Sequence, residues 1–495
     1  MNEVVILRNL LDSSSLRRLN LIEYMVQNNK WSKTETIAEQ LLCSEGTVKS
    51  DITYFRHSFS KELSFETSKQ KGIRLVVLDS FYIDNFYQRI MRDCLNVQFL
   101  NLLFSETHNT LEEYADALYT STSSIKRAIE QVKRVLKNYQ LDIQQKPIRI
   151  KGSEKNVLCF YGIFFWEEYG NSFVKLPHTY KQEAFNLVTA FKKEMHLSLS
   201  TTVINKIILW FIIYFDRLAQ GHHIENGYQA LVPVSKYIED FILASTYQLP
   251  FCITEEDIRF SSFILESRYL FVSREALQSK PELLDVYDEI GFFLESLSGS
   301  TSFKLADKTL LEERLFIQYI YTLEFKGLNY LLVGQDKLAI LNSEGIYDLF
   351  MEEARKLVHK SSNASWKKAV LSNSTDFFYI LITTWENLTS EIIKKRRRIN
   401  AIIVSQFGIH HETYLKELIE LRFPYTFNIF LLAEESYPEE NIDLIITDHE
   451  VAETKLHLNG SIPVIGINYS PNNRNWNQLK DLIETIFVQK RWKKN

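Results

Sequence analysis

Between residues 37 and 52, apolar side chains fall at Ile37, Ala38, Leu41, Val48 and Ile52, with mostly polar residues between them. The same spacing returns 77 positions later at Tyr114, Ala115, Leu118, Ile125 and Ile129, with no insertion or deletion. Each position has a physical task in a helix-turn-helix. The alanine lets two helices approach closely, and the leucine seals the core between them. Ser44 and Ser121 are placed to cap the second helix of each pair. The β-branched residues four apart, Val48 with Ile52 and Ile125 with Ile129, share its inner face. A period-two hairpin pattern follows each copy. The first is Leu63–Thr67, a turn at Ser68–Gly72 and Ile73–Val77; the second is Leu141–Ile143, a turn at Gln144–Pro147 and Ile148–Gly152. A helix-turn-helix followed by a hairpin predicts a winged helix, here twice.

The inward residues define the outward ones. With Val48, Ile52 and Phe55 buried, the first recognition helix turns Glu45, Gly46, Thr47, Lys49, Ser50, Thr53 and Arg56 outward. With Ile125, Ile129 and Val132 buried, the second presents Ser123, Ser124, Lys126, Arg127, Glu130 and Lys133. The hairpins add Lys71 and Arg74 to the first module and Arg149 to the second. Such polar, partly basic faces suit entry into the major groove of double-stranded DNA, so these sixteen residues are the expected contacts.

Further along, the pattern changes. Residues 1–79 and 80–155 are read as the two winged helices, and long amphipathic or wholly apolar helices follow. They divide into blocks at 156–278 and 279–393, each expected to be all-α. The run Ile204–Leu218 is a buried helix in the first, and Leu310–Tyr321 its counterpart in the second. The charged run Lys394–Arg398 marks a boundary. Beyond it, in 398–495, short apolar runs at Ala401–Val404, Phe427–Leu432, Leu444–Thr447 and Ile462–Gly466 alternate with helical stretches at His411–Arg422 and Trp476–Val488. That alternation predicts a small α/β domain with a parallel sheet. The fold class is therefore multidomain and mainly α.

A chain of 495 residues with 45% hydrophobic side chains and only 15 Gly and 9 Pro has material for several packed cores and little for long linkers. Its net charge of −5 is unevenly spread: residues 1–155 hold 22 Lys and Arg against 19 Asp and Glu, or +3, which leaves −8 for the remainder. A basic N-terminal end on an acidic body fits DNA binding by that end. Cys43, Cys94, Cys159 and Cys252 have no zinc or disulfide spacing, which suits a reducing cytoplasm. The first eleven residues carry no basic-then-apolar signal pattern. The greasiest runs, Cys159–Trp166 and Ile207–Phe215, are too short to cross a bilayer, so no membrane association is expected. No P-loop, HExxH, GxSxG or dinucleotide fingerprint is present. The pairs His222-His223 and His410-His411 lack the partners a metal site needs, because adjacent side chains on one element do not converge. Neither an enzyme, a metal nor a cofactor is expected.

Two winged helices, two helical blocks and a terminal α/β domain, in that order, resemble the Mga-like virulence regulators over essentially the whole chain. Arg217, Gly221, Ile224 and Asn226 are similar to the sequence that follows the first regulatory helix of that family. The resemblance implies a dimeric or larger transcription factor with two phosphotransferase-system regulation domains and an enzyme IIB-like end, served by phosphocarrier proteins of the sugar phosphotransferase system. The departures matter equally. Where the family places phosphorylated histidines, this chain has Trp210 and residues near Ile264, Gln318 and Thr383, which leaves His178, His196, His222, His223 or His359 as substitutes in a different register. The IIB-like loop after the first strand, Val404–Gly408, holds Ser405 and no cysteine, and serine does not accept phosphate without an activating base. Regulation by phosphorylation, by an unidentified ligand, or by assembly alone all remain open at this point. So does a partner protein of the phosphotransferase system that binds no DNA.

Overall fold

The computed structural model describes residues 10–28, 30–78, 81–175, 179–269, 274–327, 347–395, 397–431, 442–449 and 462–491. Described residues of 1–290, 312–338 and 362–377 form one compact unit, and those of 291–311, 339–361 and 378–495 form a second. Helices dominate both, and a four-stranded parallel sheet lies in the second. No helix among the described residues is long and apolar enough to cross a membrane.

The first unit opens with α1 (Ser13–Asn28), α2 (Thr34–Gln40) and α3 (Glu45–Ser58), followed by β1 (Leu63–Ser68) and β2 (Gly72–Val77). α3 starts where it does because the Ser44 side chain accepts the Thr47 N–H at 3.1 Å, satisfying an otherwise orphaned donor. Val48, Ile52 and Phe55 are buried. Across the hairpin, Phe65 and Leu75 pair and turn inward, and the Phe65 ring stacks on Phe55 at 6.2 Å. Residue Ser32 adds a third edge by exchanging two backbone hydrogen bonds with Ile73, at 2.9 and 2.8 Å. Gly72 makes this close approach possible. It sits at φ +92°, and a Cβ there would lie 2.2 Å from the Ser32 carbonyl oxygen.

The second copy repeats this plan. After α4 (Ile83–Asp93) and α5 (Leu95–Ser105) come α6 (Leu111–Ala117), α7 (Thr122–Leu136), β3 (Asp142–Gln145) and β4 (Ile148–Lys151). Ser121 caps α7 through the Ser124 N–H, and Thr110 with Glu113 closes a capping box on α6. Even the edge bond recurs, as Ile148 N–H donates to the Asn109 carbonyl at 3.0 Å, and Asn109 lies 77 residues after Ser32.

Beyond the hairpin run α8 (Glu154–Tyr169), α9 (Lys181–Glu194), α10 (Thr201–Ala219), α11 (Lys236–Thr246) and α12 (Glu255–Tyr269). Every residue of Ile207–Phe215 in α10 is buried. At about 1.5–3 kcal/mol for each large apolar side chain removed from water, this helix anchors the unit. α8 joins it with an aromatic stack through Phe160, Tyr161, Phe164 and Phe165.

In the second unit the strands β5 (Ile399–Val404), β6 (Phe427–Leu431), β7 (Leu444–Thr447) and β8 (Val464–Gly466) lie in the order β6-β5-β7-β8, all parallel. β5 is central and buried on both faces, which explains its unbroken apolar run. Ala401 and Ile403 join Leu415 and Ile419 of the helix Ile409–Arg422 in one core, while Ile402 and Val404 join Ile442 and Ile445 on the opposite face.

Candidate nucleic-acid interface

Most of the expected contact residues lie in the open. On α3, Glu45, Gly46, Lys49, Ser50, Thr53 and Arg56 are exposed. Lys49 stands 3.5 Å from Glu45 in a solvated pair one turn apart, which holds neither side chain firmly. Arg56 donates to the Phe65 carbonyl at 3.1 Å, and Thr53 donates to the Lys49 carbonyl at 2.9 Å. Thr47 is half-buried because its hydroxyl is 2.8 Å from that of Ser44, within the cap. On α7, Ser123, Lys126, Arg127 and Glu130 are exposed, while Ser124, the counterpart of Thr47, is likewise tied to its cap at Ser121. Lys133 pairs with Asp142 at 3.3 Å and keeps only 20% of its side chain exposed.

The two hairpins differ in their arginines. Arg74 pairs with Glu66 at 3.0 Å across the hairpin, lies over the Trp31 ring, and stays 40% exposed. Arg149 turns inward. Its guanidinium meets Glu106 at 3.0 Å and donates to the carbonyls of His108 and Glu106 and to Asn109 Oδ1, leaving 18% of the side chain exposed. Lys71 stands free of such ties at the exposed hairpin turn. Between α7 and the second hairpin a groove of ≈ 760 Å³ is lined by Lys126, Glu130, Gln145, Lys146 and Pro147 among others. Lys146, which the sequence reading did not single out, therefore shares a surface with Lys126.

Two features of these modules escape the periodic pattern. Asp51, on the inner face of α3, is 1% exposed and accepts from Arg17 at 2.6 and 3.1 Å and from Arg18 at 3.1 Å. Its counterpart in the second module is the buried Ala128. The second feature is the turn. Leu42 and Tyr119 have φ of +53° and +50° and are 94% and 98% exposed.

Behind the second module, Glu106 gathers two arginines and a histidine. Besides Arg149 it meets Arg217 of α10 at 2.9 Å, and His222 Nε2 lies 2.9 Å from the same Oε1, off the axis of a good hydrogen bond. Burial opposes ionisation of Glu106, but His222 and Arg217 outweigh it and hold the carboxyl down at about 2. Arg217 is also clamped by both oxygens of Glu154, at 2.7 and 2.8 Å. Among the other histidines considered for phosphorylation, His223 Nδ1 is 2.7 Å from Asp257, His196 and His359 are exposed, and His178 lies outside the described residues.

In the sheet unit, Ser405 follows β5 at the expected place. Its hydroxyl is 2.6 Å from Asp448 Oδ2 and 2.7 Å from His411 Nδ1, and it accepts the Phe407 N–H at 3.1 Å. A basic partner is thus at hand, yet the hydroxyl is fully committed to tying the loop to the end of β7. No group of three His, Cys, Asp or Glu able to hold a metal occurs among the described residues.

Comparison with known proteins follows the same geography. The M protein trans-acting positive regulator (MGA) helix-turn-helix family matches residues 13–71, and the Mga helix-turn-helix domain matches residues 79–165. Full-length relatives are distant. A candidate trans-acting regulator of Streptococcus pneumoniae is 23% identical, covering 89% of this chain and 93% of its own length. The capsule synthesis positive regulator AcpB of Bacillus anthracis is 21% identical over 94% and 97%. The anthrax toxin expression trans-acting positive regulator of the same organism is 20% identical over 96% and 99%.

Proposed function

Since the chain belongs to the Mga-like regulators, with both helix-turn-helix domains of that family in place, we propose that it controls transcription by binding promoter DNA through α3 and α7. The observation that carries this reading is the doubled motif, whose inner faces are buried and whose recognition helices are exposed, polar and partly basic. Lys49, Lys126, Arg127 and Lys71 are exposed cations placed to meet phosphate, with Lys146 beside Lys126. Arg149 and Lys133 support the fold instead. The names of the relatives make activation the expected sign. Chain order supports reading 156–278 and 279–393 as regulation domains and 398–495 as an enzyme IIB-like domain. With its serine locked in place, that last domain acts as a binding or pairing surface in a cytoplasmic dimer. A link to the sugar phosphotransferase system would run through His222 or His223, which flank the Arg217 cluster.

The test is a salt titration of the full chain on genomic fragments that it retains. Wild-type affinity should fall steeply with salt, and the Lys126→Ala, Arg127→Ala double variant should bind at least about tenfold more weakly with a log–log slope reduced by about two. Two readers per chain in a dimer should protect more than about 20 base pairs, and sedimentation should give twice the chain mass. Salt-indifferent binding that ignores the double variant would sink the DNA reading.

A further inference from the structure

We propose that Leu42 and Tyr119, in the turns of the two helix-turn-helix motifs, are apolar contacts to the edge of the DNA groove. The inference rests on the DNA-binding reading and adds a contact class that charge alone does not reveal.

The backbone shows why these positions are unusual. In each motif the turn closes in the same way: Leu42 N–H donates to the Glu39 carbonyl at 3.2 Å and Cys43 N–H to that of Ala38 at 3.0 Å, matched by Tyr119 to Asp116 at 3.2 Å and Thr120 to Ala115 at 2.9 Å. Such a helix end places one residue in the left-handed region, where glycine is favoured because it has no Cβ to strain. Both copies instead carry a large apolar side chain there, at φ +53° and +50°. Neither side chain gains burial in exchange. At 94% and 98% exposed they are the two most exposed large apolar residues among those described. A single exposed leucine needs no explanation. Two at one register of a duplicated motif share whatever the motif as a whole faces.

That common object is DNA. The turn delivers the N-terminus of the recognition helix, the part that approaches base edges. Ser44 and Ser121 cap those helices two residues after the exposed side chains. Leucine has only methyl groups to offer, which fit sugar carbons or a thymine methyl. Tyrosine can lay its ring on the sugar and direct its hydroxyl to a phosphate. A protein partner would need a contiguous apolar patch, whereas the near neighbours in the chain Glu39, Gln40, Glu45 and Asp116 are polar and exposed.

The experiment uses the full chain carrying Leu42→Gly, Tyr119→Gly or both, with Tyr119→Phe as a fourth variant, on a labelled duplex recovered from sheared genomic DNA by the wild-type chain. Glycine relieves the backbone, so the unfolding midpoint should hold or rise. Affinity should fall by about tenfold for each single glycine variant, as burial of one large apolar side chain implies. The salt slope should stay unchanged, because no cation has been removed. The phenylalanine variant should keep the ring's share of the contact. Glycine variants that bind as tightly as wild type overturn the inference. If they do so while promoter activation is lost, the turns face another protein instead. Wild-type chain with no salt-dependent DNA binding overturns the parent reading, a result distinguishable from the others.

Discussion

Replacing Asp51 with alanine should destabilise the first helix-turn-helix by about 2–3 kcal/mol and loosen its recognition helix from α1. The carboxylate is buried, and three charge-assisted bonds from Arg17 and Arg18 converge on it. Arg18 is fixed further by the Tyr54 ring, 3.8 Å below its guanidinium. Removing the acid leaves two cations facing each other beside an apolar core. The cost stays below that of a fully buried pair because each arginine keeps about a quarter of its side chain in water. The second module gives the contrast: the matching position is the buried Ala128, and the residues 77 positions after Arg17 and Arg18 are Cys94 and Leu95. Alanine is therefore sterically acceptable at this point in the motif, and the expected loss is electrostatic. Chemical unfolding followed through Trp31, which lies in this module, would measure it. An unchanged midpoint refutes the argument, and adding Arg17→Leu and Arg18→Leu to Asp51→Ala should restore part of the loss.

The same position shows what the sequence could and could not display. Caps, apolar pairs and hairpin alternation are local signals, set within four residues of one another, and they located both helix-turn-helix motifs, as short apolar runs located the sheet strands but not their order across the sheet. Asp51 lies in that pattern as a polar residue without an assigned task, because its partners are more than thirty residues away. Arg149 gives the converse case. Its place in a hairpin suggests an outward charge, yet Glu106, forty-three residues earlier, draws it in. The left-handed turns were hidden for a different reason. Their usual marker is glycine, and neither Leu42 nor Tyr119 supplies it. Long-range charge pairing and unmarked backbone geometry are therefore the parts that arise only in the folded chain.

Arg217→Leu carries the largest expected effect, a loss of about 3–5 kcal/mol at pH 7. The guanidinium is 2% exposed and holds Glu154 with two bonds while also meeting Glu106. Without it Glu154 loses its two-bonded counter-charge and Glu106 one of its two arginines, in a poorly solvated site. Lysine in its place keeps the charge but loses the planar fork, so Arg217→Lys should fall between. The pH dependence gives an independent check. Glu106 has a folded-state value held near 2, below its ordinary 4.5, so ionised Glu106 contributes stability that is present above 4.5 and lost as pH falls toward 2. That contribution depends on Arg217 together with His222. The gap in unfolding free energy between wild type and Arg217→Leu should therefore be widest at neutral pH and narrow as pH drops below 4.5. A gap that stays constant down to pH 3 would assign the loss to packing instead of charge. Because Glu106 also holds Arg149 of the second hairpin, Arg217→Leu should weaken DNA binding as well, although residue 217 lies in α10 and is itself no candidate for touching DNA.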